Sequence, residues 1–440
     1  MTAADLSTSS IKSQSDFIVR SRIIVPVSQP PIENGAVKIS GDLIAAVGRW
    51  KDFTHESSVE IVDLGDSILL PGLVNAHCHL DYTNMAGRLP PQKSFTDWIR
   101  LMLAAKAEWN YTEFAESWLN GAQMLLRTGT TTAADFEAVP ELLPDVWNAT
   151  PLRIISLLEL TGVKSRRSPQ LILQEALDRI DQLPKCRAFA GLAPHAPYST
   201  APELIHLTAI AARARRLPFS IHVAESDLEF EMFAHARGEM FDWLRRNGRD
   251  HSDCGIGSPV QHLERNGALA ENLLAVHLNY LAEDDAALLA RRKVSVAHCP
   301  RSHFYFQHTP FPFEKLNAAG VNVCLGTDSL ATVYKRRKET VELSLFDEMK
   351  QFAATHPGVA PEKILQMATV NGARALGLGG KIGELTGGAF ADLISIPFNG
   401  NFSDVNEAVV QHSGPVASAM IAGEWITKKT DARFVAPIVD

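Results

Sequence analysis

Two histidines one residue apart, His77 and His79, close the apolar run SILLPGLVNAHCHL. Alternate side chains along a strand share a face, so both imidazoles project together while Cys78 points away. Such a pair can grip a metal ion, or it can be two ordinary hydrogen-bonded histidines. The ends of the other apolar runs decide between these. In chain order they carry Glu137, Glu159, His195, His222 with Glu225, His277, His298 and Asp328. If the runs are strands of one closed barrel, their carboxyl ends converge, and His222 and Asp328 join the histidine pair. Imidazole and carboxylate together suit Zn²⁺ or Fe²⁺ far better than Ca²⁺, which takes oxygen ligands alone. Water held by such an ion has its pKa lowered from about 15.7 to about 7, which makes hydroxide available at neutral pH.

The elements that must position these groups are eight strand-like runs: SILLPGLVNAHCHL, TTAADFE, RIISLLEL, CRAFAGLAPHA, FSIHVAES, LLAVHLN, KVSVAHCP and VNVCLGTDS. They alternate with helix-period segments such as SFTDWIRLMLAAKAEW, APELIHLTAIAARARR, DLEFEMFAHARG and DDAALLARR. Eight such units predict an α/β fold, a (β/α)₈ TIM barrel over residues 67–377. An open doubly wound sheet would place a G-x-G-x-x-G turn after its first strand, and PGLVNAHCHLDY has none. Residues 1–66 and 378–440 return to short β-branched runs: FIVRSRIIVPV, GAVKISGDLIAAVG and VEIVDLG before the barrel, KIGELTGGAFADLISIPF, AVVQH and ASAMIAGEWI after it. Each flank is too small to bury a core alone, so the two are expected to share one small composite β-sandwich. The stretch 247–266, with HSDCGIGSP, reads as a long connection of the kind that often carries function.

Composition bounds the partners. With 440 residues, 46% hydrophobic and 21% charged, the chain has the makeup of a globular protein with a large core. A net charge of −8 leaves no basic field for a phosphate backbone, so nucleic acid is not an expected partner. The opening MTAADLSTSSIKSQSDF is polar, and no stretch approaches the roughly 20 apolar residues of a membrane span, so a cytoplasmic protein without a membrane partner is expected. The cysteines, Cys78, Cys186, Cys254, Cys299 and Cys324, are odd in number and scattered, as free thiols are.

The strings PGLVNAHCHLDYTNMAG, SFTDW, APHAPYST, IHVAES, AVHLN, AHCPRS, GTDS, MATVNGARALG and IGELTGGAFADLISI span nearly the whole chain. In them the sequence resembles the amidohydrolase superfamily, in its mononuclear deaminase and chlorohydrolase-like branch. The resemblance implies a barrel joined to a sandwich built from both termini. It implies His77, His79, His222 and Asp328 as metal ligands, and Glu225, three residues after His222, as the proton shuttle. Relatives with two metals bridge them by a carboxylated lysine at the fourth strand end. Here His195 stands near that end and Lys185 well before it, so one divalent ion per chain is implied, zinc in the first place, with iron and manganese as alternatives. A homo-oligomer, dimer or larger, is implied as well.

These roles make a hydrolytic deaminase of a small heterocyclic substrate. Asp328 takes the water's proton, Glu225 protonates the ring nitrogen, and His277 assists the attacking oxygen and the departing ammonia. An adenosine derivative such as S-adenosylhomocysteine, methylthioadenosine or aminodeoxyfutalosine is the expected substrate; the alternatives within the superfamily are a guanine or pterin deaminase and a triazine-type chlorohydrolase, and Glu225 argues for amine departure because a chloride leaving group needs no proton. A scaffold that had abandoned chemistry would have lost ligands, and every ligand position is filled. His195 is expected to contact substrate or to make a structural hydrogen bond at the rim. Trp98, in the stripe with Leu101, Met102, Ala105 and Trp109, either packs in the core or stacks on the heterocycle. The seventh loop departs from the family's HNPxSN, and its Arg301 and His303 are expected at the outer end of the pocket, where a cation would favour a carboxylated substrate. The run KRRK, 335–338, reads as a solvated face or an anion site, and His206, His235, His262 and His356 as packing or surface residues.

Overall fold

Apolar runs buried on both faces can only be central strands of a sheet covered on both sides, and in the computed structural model eight of them form a parallel barrel. They are β1 (Leu73–Cys78), β2 (Thr130–Glu137), β3 (Arg153–Leu160), β4 (Phe189–Pro194), β5 (Phe219–Val223), β6 (Leu273–His277), β7 (Ser295–His298) and β8 (Asn322–Leu325). The structure describes residues 16–54, 59–163, 167–184, 186–427 and 433–435; Lys185 and the polar opening 1–15 lie outside them. Each strand pairs with the next in chain order. The seam between β8 and β1 closes just beyond the ladder, where the amides of Thr327 and Asp328 donate to the His77 carbonyl at 2.9 and 3.1 Å. Gly326 permits that approach, since a Cβ there would stand 2.7 Å from the His77 oxygen.

The sequence run ending in the histidine pair is divided between two sheets. Ser67–Pro71 belongs to the terminal sheet, and the barrel begins after Gly72, where a Cβ would lie 2.0 Å from Thr131 Oγ1. Periodicity could not see this break because both halves are fully buried.

The terminal sheet joins both ends of the chain, as expected. Ser67–Pro71 pairs antiparallel with Leu393–Pro397, which leads to Ser418–Ile421 and Glu424–Thr427. On its other edge Ser67–Pro71 runs parallel to Phe17–Ile24, followed by Ile32–Ser40 and Leu43–Arg49. The anticipated sandwich is thus one hydrogen-bonded sheet that forks at Phe17–Ile24, whose first residues pair with Glu60–Asp63 and whose last with Ser67–Pro71. The run AVVQH is not a strand: residues 408–410 end the helix Val405–Val410. The connection 247–266 contains the helix Pro259–Arg265 and is pinned by Arg249, which reaches the carbonyls of Pro197 and Tyr198 and pairs with Asp253 at 2.8 Å. Barrel and sheet are tied by an ion pair buried at both ends, Arg153 to Asp392 at 3.3 Å, stacked on Phe390. No helix among the described residues is long and apolar enough to cross a membrane.

Candidate active site

The carboxyl ends of the strands bring six titratable side chains together, all buried: His77, His79, His222, Glu225, His277 and Asp328. Alternation on β1 puts His77 and the following His79 on the inner side, while Cys78 turns its sulfur to the Ala134 carbonyl at 3.4 Å. The nitrogens of His77, His79 and His222 that could bind an ion lie within 4.8 Å of one another. The two Nε2 atoms of His77 and His222 face each other at 3.3 Å, and Asp328 Oδ1 lies 3.7 Å from Nε2 of both His77 and His79. His222 donates from Nδ1 to the His195 carbonyl at 2.9 Å, which leaves Nε2 as a bare lone pair aimed at His77. Burial, then the neighbouring imidazoles, hold His222 well below the usual histidine range, and burial does the same for His79. Three imidazole nitrogens converging beside a carboxylate are the donor set of a transition-metal site, so the residues present fit such an ion.

The two carboxyls are driven apart. Burial pushes Glu225 well above the usual carboxylate range, and the charges of Asp328 and Glu229 add to it. Burial acts on Asp328 too, but the neighbouring imidazoles of His77, His277 and His79 outweigh it and hold Asp328 below its ordinary value. The two environments push the carboxyls in opposite directions, the arrangement that separates an acid from a base. His277 Nε2 stands 3.6 Å from Glu225 Oε1, and burial pushes its pKa down to about 3.

The backbone that presents these groups is strained in one place after another. Ala224 (φ 50°), His277 (φ 76°), Leu278 (φ 50°) and Asp328 (φ 53°) all lie in the left-handed region. Specific partners hold the turns. The Glu225 amide donates to the buried Glu229 carboxylate at 2.9 Å, and its carbonyl accepts from Asn279 Nδ2 at 2.9 Å. Asn75 clasps the seam, donating from Nδ2 to Thr327 Oγ1 at 2.8 Å and accepting from the Thr327 amide at 3.1 Å. Phe136 floors the cluster, its ring centroid 4.4 Å from that of His222 and 4.8 Å from that of His77.

Above the cluster opens a cavity of about 210 Å³. His79, His222, Glu225, His277 and Asp328 form its inner end, and His195, Lys106 and Glu159 one wall. His195 holds Ser199 through Nδ1 at 2.7 Å, so it is both hydrogen-bonded at the rim and open to the cavity. Trp98, on the helix Phe95–Ala107, lines the cavity with Met102 and leaves its buried Nε1 without a partner, while Leu101, Ala105 and Trp109 pack against the core. The facing helix Glu239–Arg246 supplies Trp243 and is tied to the first by Ser94 and Glu239 at 2.9 Å.

Arg301 and His303 are not at the cavity, which corrects the expectation from the seventh loop. Pro300–Tyr305 turns into a helix at once, and Arg301 swings to Glu348 at 2.5 Å and to the Glu342 carbonyl at 2.9 Å. His303 bonds the Thr309 carbonyl at 2.9 Å and packs edge-on to His298. Residues 335–338 are exposed and do not line the cavity. Among the residues that sequence reasoning passed over, Asn75 stands two before His77 on the same strand face and Glu229 four after Glu225, so periodicity held a signal for both. Lys106 and Trp243 lie on helix faces that offered none.

A barrel with its polar cluster at the strand ends and a sheet shared by both termini define a class of metal-site hydrolases, and the comparisons agree. The model of the amidohydrolase family matches residues 68–426. A relative from Syntrophobacter fumaroxidans named 5-methylthioadenosine/S-adenosylhomocysteine deaminase is 33% identical over 383 residues, covering 83% of this chain and 80% of its own. The chain belongs to the amidohydrolase family. Among solved structures, a Helicobacter pylori aminofutalosine deaminase in complex with methylthio-coformycin superposes with a TM-score of 0.82 at 22% identity, over 93% of this chain and all (100%) of its own. An adenosine deaminase from Xanthomonas campestris with bound zinc gives 0.79 at 24% identity, over 95% and 94%.

Proposed function

We propose that this chain is a mononuclear metal-dependent aminohydrolase that replaces the exocyclic amine of an adenine-type heterocycle by a carbonyl, with release of ammonia. The observation that carries the reading is the convergence of His77, His79 and His222 with Glu225, His277 and Asp328 at the closed end of a cavity. His77, His79, His222 and Asp328 would hold the ion, zinc in the first place, and a divalent ion there supplies a water made acidic enough to attack. Asp328 would take a proton from a water held there. Glu225 delivers its proton to the ring nitrogen beside the amine-bearing carbon, which makes that carbon easier to attack. His277, a neutral imidazole 3.6 Å from Glu225, hydrogen-bonds the incoming oxygen and steers a proton to the departing amine. The proton taken by Asp328 passes to the departing amine, the hydroxyl proton left on the ring carbon restores Glu225, and amine and water thereby become carbonyl and ammonia. Trp98 offers a flat apolar face to the ring.

The names of the relatives support adenosine derivatives over other amines. With Arg301 paired to Glu348 away from the cavity, nothing at the seventh loop favours the carboxylated members of that group. The test is ammonia release from metal-loaded protein offered methylthioadenosine, S-adenosylhomocysteine, aminodeoxyfutalosine, guanine, a pterin and a triazine. Turnover of one or more adenosine derivatives above all others is the expected result. Preference for guanine, a pterin or a triazine overturns the reading.

A further inference from the structure

The cavity is lined by two opposite charges that make no hydrogen bond and no ion pair among the described residues. Glu159, next to the end of β3, lines the cavity and makes no hydrogen bond and no ion pair among the described residues. Lys106, one turn beyond Met102 on the helix Phe95–Ala107, lines the same cavity; it too lacks a hydrogen bond or ion pair, and its ammonium rests over the Tyr82 ring at 5.0 Å. The Tyr82 hydroxyl, on a residue only 5% exposed, has no partner among the described residues. Register places Glu159 beside Ala193, two residues before His195, so Glu159 enters the cavity from the barrel side and Lys106 from the helix that covers it.

The chemistry of this wall selects its occupant. A cationic ligand would meet Lys106, and an anionic one would meet Glu159. A neutral group that both donates and accepts hydrogen bonds satisfies both charges at once. A carboxylate has two oxygens and accepts from two adjacent hydroxyls; an ammonium has three donors and no acceptor.

We propose that Glu159 and Lys106 form a subsite for the vicinal hydroxyls of a sugar attached to the heterocycle. Glu159 accepts from both hydroxyls and Lys106 donates to one of the same oxygens. The inference rests on the deaminase reading above and deepens it: free guanine, pterins and triazines bring nothing to this wall, whereas a ribonucleoside does.

The test uses metal-loaded wild type, Glu159→Gln and Lys106→Met, with ammonia release measured on methylthioadenosine and on its 2′,3′-dideoxy counterpart. Wild type should prefer the diol in kcat/KM. Glu159→Gln should reduce that preference about 10- to 100-fold, through KM for the diol substrate, with metal content kept and the dideoxy substrate changed by no more than about twofold. Lys106→Met, a change on a helix at the rim, should move the same ratio in the same direction by at least about threefold. An equal fall on both substrates in the two variants, or an unchanged preference, overturns the subsite. If wild type releases ammonia from none of methylthioadenosine, S-adenosylhomocysteine and aminodeoxyfutalosine, the deaminase reading itself fails, and that control separates the two failures.

Discussion

Replacing Glu225 by glutamine keeps the shape of the side chain and the backbone bonds to Glu229 and Asn279 while removing the proton it is proposed to give. General acid catalysis is worth about 10² to 10⁴ in rate, or about 2.7 to 5.4 kcal/mol at about 1.36 kcal/mol per decade. Two features of the site put this case in the upper half. Glu225 is only 7% exposed, so bulk water cannot replace it, and the nearest titratable neighbour, His277, has its pKa pushed down to about 3 by burial and holds no spare proton near neutrality. A loss of about 10³ to 10⁴ in kcat follows, with KM and metal content close to wild type, measured by steady-state ammonia release and elemental analysis of the same preparation. The pH profile gives a second readout. Burial raises the Glu225 pKa, so the acid form persists upward from the ordinary carboxylate range and kcat/KM falls as pH rises through the raised value. The glutamine variant should lose that alkaline limb. A kcat within tenfold of wild type, or loss of the metal together with activity, would show that Glu225 is not the donor or is a ligand instead.

Other consequences follow from the same geometry. His222→Ala removes one of three converging nitrogens and should release the ion, seen as metal content falling well below that of wild type after dialysis. Glu229→Ala frees the Glu225 amide and the strained turn at Ala224; kcat should fall about 10- to 100-fold with metal retained, and Glu229→Gln, which still accepts a hydrogen bond, should recover most of it. Asp392→Ala leaves the Arg153 guanidinium buried without its anion and should cost about 3 to 5 kcal/mol in urea unfolding, whereas Arg153→Met with Asp392→Leu should cost far less than twice that.

The barrel was legible because each strand run ends in a polar residue and is followed by a helix-period segment, a pattern that only strand-end convergence explains. The inner cluster was legible for the same reason: His77, His79, His222, Glu225, His277 and Asp328 are all strand-end residues, and the fold brings them together. Side chains on helices were not. Arg301 is three residues past His298, close enough in sequence to suggest the pocket, but one turn of helix sends its guanidinium to Glu348. Lys106 looked like an ordinary helix cation, and only the closing of the helix Phe95–Ala107 over the strand ends turns it into a cavity wall. The boundary at Gly72 was hidden because strands on either side of it are equally buried, and composition carries no mark of which sheet a buried strand joins.

One ion held by His77, His79, His222 and Asp328 should support deamination of an adenine-type ring. Stripping the protein with chelator and titrating a divalent transition metal back, with ammonia release from methylthioadenosine recorded throughout, puts this to the test. Activity should be absent at the start, rise in proportion to bound metal, and reach its plateau at about one ion per chain. Ammonia release by the stripped protein, or a plateau reached only at two ions per chain, would contradict it.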